Sequence, residues 1–188
     1  MEHFHQNIHG WFTFPQLYSK MVEKFGSNSH FVEVGTWKGT SAAYMAVEII
    51  NSNKQIKFDC IDNWIGSEEH TNPNSDKYEI GFKNNPDFLF QTYLKNIEPV
   101  KNIINSIRLP SYEASQKYED NSLDFVFIDA AHDFDNVLLD VKSWYPKVKI
   151  GGVIAGHDYT WHEPVKRAVD KYFGKIHEES EGCWIFNK

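Results

Sequence analysis

The sequence predicts an α/β fold built on a parallel sheet, on the strength of three observations. An apolar strand, His30-Phe-Val-Glu-Val34, runs into a glycine turn and at once into a helical pattern across Gly35-Thr-Trp-Lys-Gly39-Thr-Ser41. Two later apolar runs, Phe58-Asp-Cys-Ile-Asp62 and Leu123-Asp-Phe-Val-Phe-Ile-Asp129, also end in an acid. Strand and helix patterns alternate along the chain, which implies parallel strands joined by right-handed crossovers. Small ligands bind outside the carboxyl ends of such strands, so these three strand ends mark the expected site.

The elements follow in order. Thr13-Phe-Pro-Gln16 has the form of a capping box with proline in the first turn. Phe14, Leu17, Met21, Val22 and Phe25 continue at helical spacing until Gly26, which makes residues 1–26 an N-terminal helical segment. After the first strand, a helix carries Ala42, Met45, Ala46, Ile49 and Ile50 on one face. Ile56 to Ile61 alternates as a strand, with Phe58 and Cys60 on one side. Asn63 to Asp87 breaks the alternation, being polar and rich in Asn, Gly and Pro. A loop this long in a compact domain is usually a lid, a binding loop or a disordered insertion. Because it follows Asp62 directly, residues 63–87 read as a lid-like insertion, with Glu68, Glu69 and His70 solvated.

Asn102 to Arg108 reads as the next strand, and Ser111 as the cap of a short helix through Tyr118. Leu123 to Ile128 is a nearly continuous apolar run, as expected of a strand buried on both faces. Phe134, Val137, Leu138 and Val141 form an amphipathic helix, and Gly152 to Ala155 a further strand. Pro164 starts a helix with Val165, Ala168, Val169, Tyr172 and Phe173 inward, ended by Gly174. Lys175 to Glu179 and Cys183 to Asn187 then pair as a terminal hairpin, which makes the last strand antiparallel.

The bulk numbers bound the function. A length of 188 residues suits one domain spanning 1–188 with a core of its own. The net charge of −7 argues against nucleic acid as a partner, because phosphate-backbone affinity needs clustered Lys and Arg. No apolar stretch approaches the ~20 residues that span a bilayer. Met1-Glu-His-Phe-His lacks the basic start and apolar run of a signal peptide. The expectation is a cytoplasmic protein without a membrane partner, with Cys60 and Cys183 as buried thiols in a reducing compartment. A homo-oligomer remains open.

Three nucleotide-binding schemes compete for the glycine turn. A P-loop needs Gly, four residues, then Gly-Lys-Ser/Thr, but here Lys38 falls inside the loop. A dinucleotide turn wants a middle glycine for close approach of the pyrophosphate, and Trp37 occupies that place. S-adenosylmethionine carries no phosphate and ends in a zwitterion. Gly35, Gly39 and Glu33 can supply the turn and the carboxylate its amino-acid end needs, and Asp62 lies at a strand end where an acid can accept the ribose hydroxyls.

With these segments and Gly151-Gly-Val-Ile-Ala-Gly-His-Asp-Tyr159, the chain resembles class I S-adenosylmethionine-dependent methyltransferases, above all the group called methyltransferase domain 24. The resemblance runs from about Trp11 to Lys188. It implies a Rossmann-like, doubly wound, seven-stranded sheet with an antiparallel last strand and helices on both faces. It implies that Glu33 and Gly35 meet the methionyl end, Asp62 the ribose and the Ser111 region the adenine. Thr36, Trp37, Gly39, Ser41, Asn63, Asp129 and Ala130 complete the cofactor positions so implied.

Methyl transfer to an alcohol needs alignment and a base or metal to handle the proton. Asp129 and His132 follow one buried strand, and His157 and Asp158 follow the next. Carboxylates at one sheet edge suit Mg²⁺ or Mn²⁺. The resemblance extends to macrocin-type sugar O-methyltransferases, where it implies Asp129 and Asp158 as metal carboxylates and His132 as the base; His157 stands where that pattern has an acid and joins the expected metal set. The expected catalytic residues are therefore His132 and Asp129, acting on a small-molecule, sugar or glycan hydroxyl. Two other classes stay in view: a nicotinamide-dependent Rossmann oxidoreductase, against which Trp37 argues, and a non-catalytic cofactor-binding module, against which Asp129, His132 and Asp158 argue.

Overall fold

In the computed structural model, which describes residues 1–176, 178–180 and 182–188, one sheet of seven strands runs in the order β3-β2-β1-β4-β5-β7-β6. The strands are β1 (His30–Val34), β2 (Lys57–Asp62), β3 (Ile104–Arg108), β4 (Leu123–Ile128), β5 (Val148–Gly156), β6 (Glu178–Ser180) and β7 (Cys183–Asn187). β1 to β5 pair in parallel. β7 pairs antiparallel with both β5 and β6. The expected hairpin forms, but its first arm starts at Glu178, later than Lys175; His177 lies outside the described residues.

Strand alternation sorts the core into two layers. Phe31, Phe58, Cys60, Phe125 and Phe127 point to the face covered by α1 (Pro15–Lys24), α2 (Thr40–Ser52) and α4 (Phe88–Ile97). Val32, Val34, Ile61, Val126 and Ile128 point to the face covered by α5 (Ser111–Ser115), α6 (Phe134–Trp144) and α7 (Glu163–Phe173). The sheet is therefore doubly wound, and its central strands are buried on both sides. Cys60 and Cys183 are both buried thiols. No helix among the described residues is long and apolar enough to cross a membrane.

Two local expectations change. Pro15 does begin α1, but its N-cap is Phe14, and the Thr13 hydroxyl is hydrogen-bonded to His157 Nε2 at 3.1 Å. Pro110 caps α5, which ends at Ser115; the Ser111 hydroxyl is drawn away by Asp140 and by Trp144 Nε1 at 2.9 Å. The largest unforeseen element is α4. Leu89, Tyr93 and Ile97 recur every fourth residue and are all buried, and a stripe of that spacing is the mark of an amphipathic helix. The insertion before it holds α3 (Glu68–Thr71) and a 3-10 turn at Ile80–Lys83.

The strand order reverses between β1 and β4, so their chain connections leave in opposite directions. A crevice opens outside the carboxyl ends of the strands at such a point. Gly35 follows β1 and Asp129 follows β4, tied across the crevice floor by the Asp129 N–H donating to Val34 O at 2.8 Å.

Candidate active site

The glycine turn is the first wall. Gly35 and Gly39 have φ of +85° and +88°, and a Cβ on Gly35 would lie 2.0 Å from the Asp129 carbonyl oxygen. Only glycine fits there. Trp37 also adopts a left-handed conformation, φ +50°, which is costly for a bulky side chain. Its surroundings hold it in place. The Trp37 N–H donates to Asp62 Oδ2 at 3.0 Å, and the Trp37 carbonyl accepts from Trp64 Nε1 at 2.8 Å.

Asp62 is the organising residue of this wall. Oδ2 accepts from the N–H groups of Thr36 and Trp37, both at 3.0 Å, and Oδ1 accepts from Trp64 N–H at 2.7 Å. Burial raises the Asp62 pKa, against the pull of these backbone donors. A carboxylate has about four acceptor sites, and the Asn63 backbone also bears on this one. The sequence suggested that both ribose hydroxyls bind here; the backbone of the turn has claimed most of that capacity.

A cavity of about 590 Å³ lies over these strand ends. Gly35, Trp37, Asp62 and Asn63 form one side, and Ser111, Tyr112, Asn136 and Asp140 the opposite side. Asp129, Ala130 and His132 close one end, and Gly66, Ser67, Glu69 and His70 of the insertion lie over it. Of the expected cofactor positions, Gly35, Trp37, Asp62, Asn63, Ser111, Asp129 and Ala130 reach this space. Glu33, Thr36, Gly39 and Ser41 are not among the residues that line it. The cause for Glu33 is strand alternation, which turns its side chain to the α1–α2 face. There it accepts from Tyr18 OH at 2.7 Å and from Ser41 Oγ at 2.8 Å, and burial pushes its pKa up to about 8. Glu33 and Ser41 thus fasten α1 and α2 to β1 behind the cavity wall.

At the end closed by Asp129 and His132 stands a cluster of acids and histidines. His132 Nε2 lies 2.9 Å from Asp158 Oδ2. His157 Nδ1 lies 3.3 Å from Asp158 Oδ1 and 3.9 Å from Asp129 Oδ1. Asp129, His157 and Asp158 have ligand atoms within 4.8 Å of one another, and so do His132, Asp158 and His162. A void of about 10 Å³, room for roughly one water-sized particle, is lined by Asp129, His132, His157 and Asp158. Burial pushes the Asp129 carboxyl up to about 6. The hydrogen bond with Asp158 raises the His132 pKa. Burial pushes the Asp158 carboxyl up, but hydrogen bonds from His132 and His157 outweigh this and leave it well below the usual carboxylate range.

Local folding explains the cluster. Asp158 adopts φ +64°, and its carbonyl accepts from Trp161 and His162 N–H, curling the segment after β5 back over the strand ends. The N-terminal segment backs His157: Thr13 is bonded to its ring and Phe14 packs at 4.9 Å. His162 stacks on His132 at 4.7 Å with ring planes 16° apart; sequence reasoning passed it over, although it lies four residues after Asp158. Tyr159, the last residue of the Gly151–Tyr159 motif, donates its hydroxyl to Asp170 at 2.7 Å. His70 was expected to be solvated but is buried, its ring 4.1 Å from that of Trp37 with the planes tilted by 39°.

Comparison with known proteins agrees with this geometry. Residues 32–159 match the sequence profile of the family described as Methyltransferase domain. Uncharacterized protein R132 of Acanthamoeba polyphaga mimivirus is 30% identical over 155 residues, covering 78% of this chain. The chain spans 60% of that relative's length. Among solved structures, the O-methyltransferase NovP superposes with a TM-score of 0.69 at 16% identity, covering 93% of this chain and 78% of NovP. Aeropyrum pernix fibrillarin, solved with natively bound S-adenosyl-L-methionine, superposes with a TM-score of 0.52 at 14% identity over 87% of this chain and 66% of its own. At such identities the two structures speak for the fold.

Proposed function

This chain belongs to the Methyltransferase domain family, and from that premise we propose that it moves a methyl group from S-adenosylmethionine to a hydroxyl of a small polyol, sugar or glycan. The observation that carries the reading is one cavity bounded by the glycine turn, Asp62 and the Asp129–His132 pair. The donor's nucleoside lies between Asp62 and Asn63 on one side and Ser111 and Tyr112 on the other. Its amino-acid end lies near Gly35, with the half-buried Asp129 carboxylate available to its ammonium group.

Bound there, the donor supplies an electrophilic methyl group. The chain supplies alignment, worth roughly 7–11 kcal/mol in well-oriented reactions, and a base. Asp158 holds His132 through Nε2, which leaves Nδ1 to take the proton from the acceptor hydroxyl. General-base assistance of this kind contributes about 10²–10⁴ in rate. His132 is partly exposed, so an acceptor can reach it from solvent.

The donor set also fits a divalent cation. Asp129, His157 and Asp158 would hold it beside the small void they line. Two carboxylates with one imidazole nitrogen suit Mn²⁺ better than the all-oxygen preference of Mg²⁺. Such an ion would polarise the acceptor oxygen.

The test is transfer of labelled methyl from S-adenosylmethionine to a panel of sugars, polyols, phenols and amines, with and without EDTA. Label is expected on hydroxyl oxygens. Transfer to amines alone overturns the oxygen reading. Activity unchanged by EDTA and by Asp158→Ala removes the metal.

A further inference from the structure

Two ring nitrogens beside the cavity have nothing to bond to. Trp37 Nε1 and His70 Nε2 are both buried and have no hydrogen-bond partner among the described residues. Their ring centroids lie 4.1 Å apart with the planes tilted by 39°, and both residues line the cavity. Glu69 Oε1 stands 3.7 Å from His70 Nε2, beyond hydrogen-bond reach, and Lys77 draws the other oxygen of that carboxylate at 2.8 Å. The other ring nitrogen of His70 is satisfied by Ser67 Oγ at 2.6 Å. With the Ser67 hydroxyl donating to Nδ1, His70 Nε2 carries the ring proton; leaving a buried donor unpaired is costly, so two such groups side by side at a cavity wall point to a ligand acceptor.

The charge of the cavity narrows what that acceptor is. Its wall carries the carboxylates of Asp62, Glu69, Asp129, Asp133 and Asp140, and among the described residues no Lys or Arg lines it. The cation closest in the turn, Lys38, is buried and ion-paired with Glu79. Backbone donors of the turn are also spent, because the N–H groups of Thr36 and Trp37 go to Asp62. Of the two lining histidines, His132 gives Nε2 to Asp158 and keeps Nδ1 for the acceptor hydroxyl. A zwitterionic amino-acid end needs donors for its carboxylate, and on this wall the adjacent rings of Trp37 and His70 carry buried nitrogens that no protein group engages.

We propose that Trp37 Nε1 and His70 Nε2 together receive the carboxylate of the donor's methionyl end, so that the 63–87 insertion is a clamp on the donor rather than a solvated loop. This rests on the S-adenosylmethionine reading above. It gives the insertion a part in donor binding and leaves acceptor choice to the His132 end. The insertion is anchored where such a clamp must hold. The Glu79 N–H donates to His70 O at 3.0 Å, and the Glu79 carboxylate holds Lys38 of the turn.

Two calorimetric probes distinguish the outcomes. S-adenosylhomocysteine has the amino-acid end; methylthioadenosine has the same nucleoside and sulfur without it. In His70→Phe and Trp37→Phe, which keep an aromatic ring at each position and remove the N–H groups, S-adenosylhomocysteine is expected to bind about 10-fold or more weaker, and methylthioadenosine as before. Equal weakening of both probes, or unchanged binding of S-adenosylhomocysteine, overturns the clamp while the donor reading stands. A wild-type protein that is folded and binds neither probe removes both. If the variants fold poorly, the wild-type complex with S-adenosylhomocysteine decides: either nitrogen within hydrogen-bond distance of the carboxylate supports the assignment, and a carboxylate bound elsewhere overturns it.

Discussion

The two ends of the cavity are built on opposite plans. At the glycine-turn end, backbone dominates: Asp62 gathers three N–H groups, Trp64 holds the Trp37 carbonyl, and Gly35 fits against Asp129 with no room for a Cβ. At the other end, side chains face each other across gaps: His132 is partly exposed, His162 stacks on it, and Trp11 and Trp161 stand 59% and 53% exposed nearby in sequence to Thr13 and His157. A site that binds one fixed donor gains from a wall that is over-determined. A site that admits an acceptor from solvent needs groups that water can reach and that can change protonation.

The sharpest break in this contrast is Asp62→Ala. It orphans three backbone donors and frees Trp37 to leave its strained conformation. Each orphaned buried donor costs roughly 1–3 kcal/mol, so chemical denaturation should show a loss of at least ~3 kcal/mol together with loss of donor binding. Stability within ~0.5 kcal/mol of wild type would mean that the turn stands without Asp62.

Next is the open end. His132→Ala should lower kcat by about 10²–10³ while leaving S-adenosylhomocysteine affinity and thermal stability close to wild type. The split matters: parallel loss of donor affinity would mean that His132 belongs to the donor wall.

The smallest effect concerns Glu33, behind the wall. Unfolded, a glutamate holds its proton below 4.5; here burial pushes that value up to about 8. Between those values the folded state binds a proton that the unfolded state has lost, so the neutral form's contribution to stability is complete below 4.5 and lost as pH rises through 8. The slope is at most ~1.4 kcal/mol per pH unit. Glu33→Gln should flatten the stability profile between pH 6 and 8, above the range in which Asp129 and Asp140 titrate at about 6. An unaltered profile would place the titration elsewhere.

Much of the fold was legible because its signals are local. The Leu123–Ile128 run matches β4 residue for residue, and Gly174 ends α7 with φ +78°. The acids after β2 and β4 announced the cavity. What stayed hidden depends on where side chains turn. Glu33 looks like a ligand residue in the motif, yet strand parity sends it to the α1–α2 face. Asp62 is in the expected place, but its engagement by the turn appears only once Trp37 and Trp64 are folded over it. His70 is a polar residue in a polar stretch, and its burial comes from contact with Trp37, far away in sequence. Only α4 was missed where the sequence spoke plainly, since Leu89, Tyr93 and Ile97 keep helical spacing just after the insertion.

The central claim is that the cavity over the β1–β4 reversal receives an S-adenosyl donor. Calorimetric titration of the folded wild-type protein with S-adenosylhomocysteine, and separately with NAD, tests it most directly. The account predicts saturable one-to-one binding of S-adenosylhomocysteine that Asp62→Ala abolishes, and no heat from NAD. Heat from NAD and none from S-adenosylhomocysteine would contradict it.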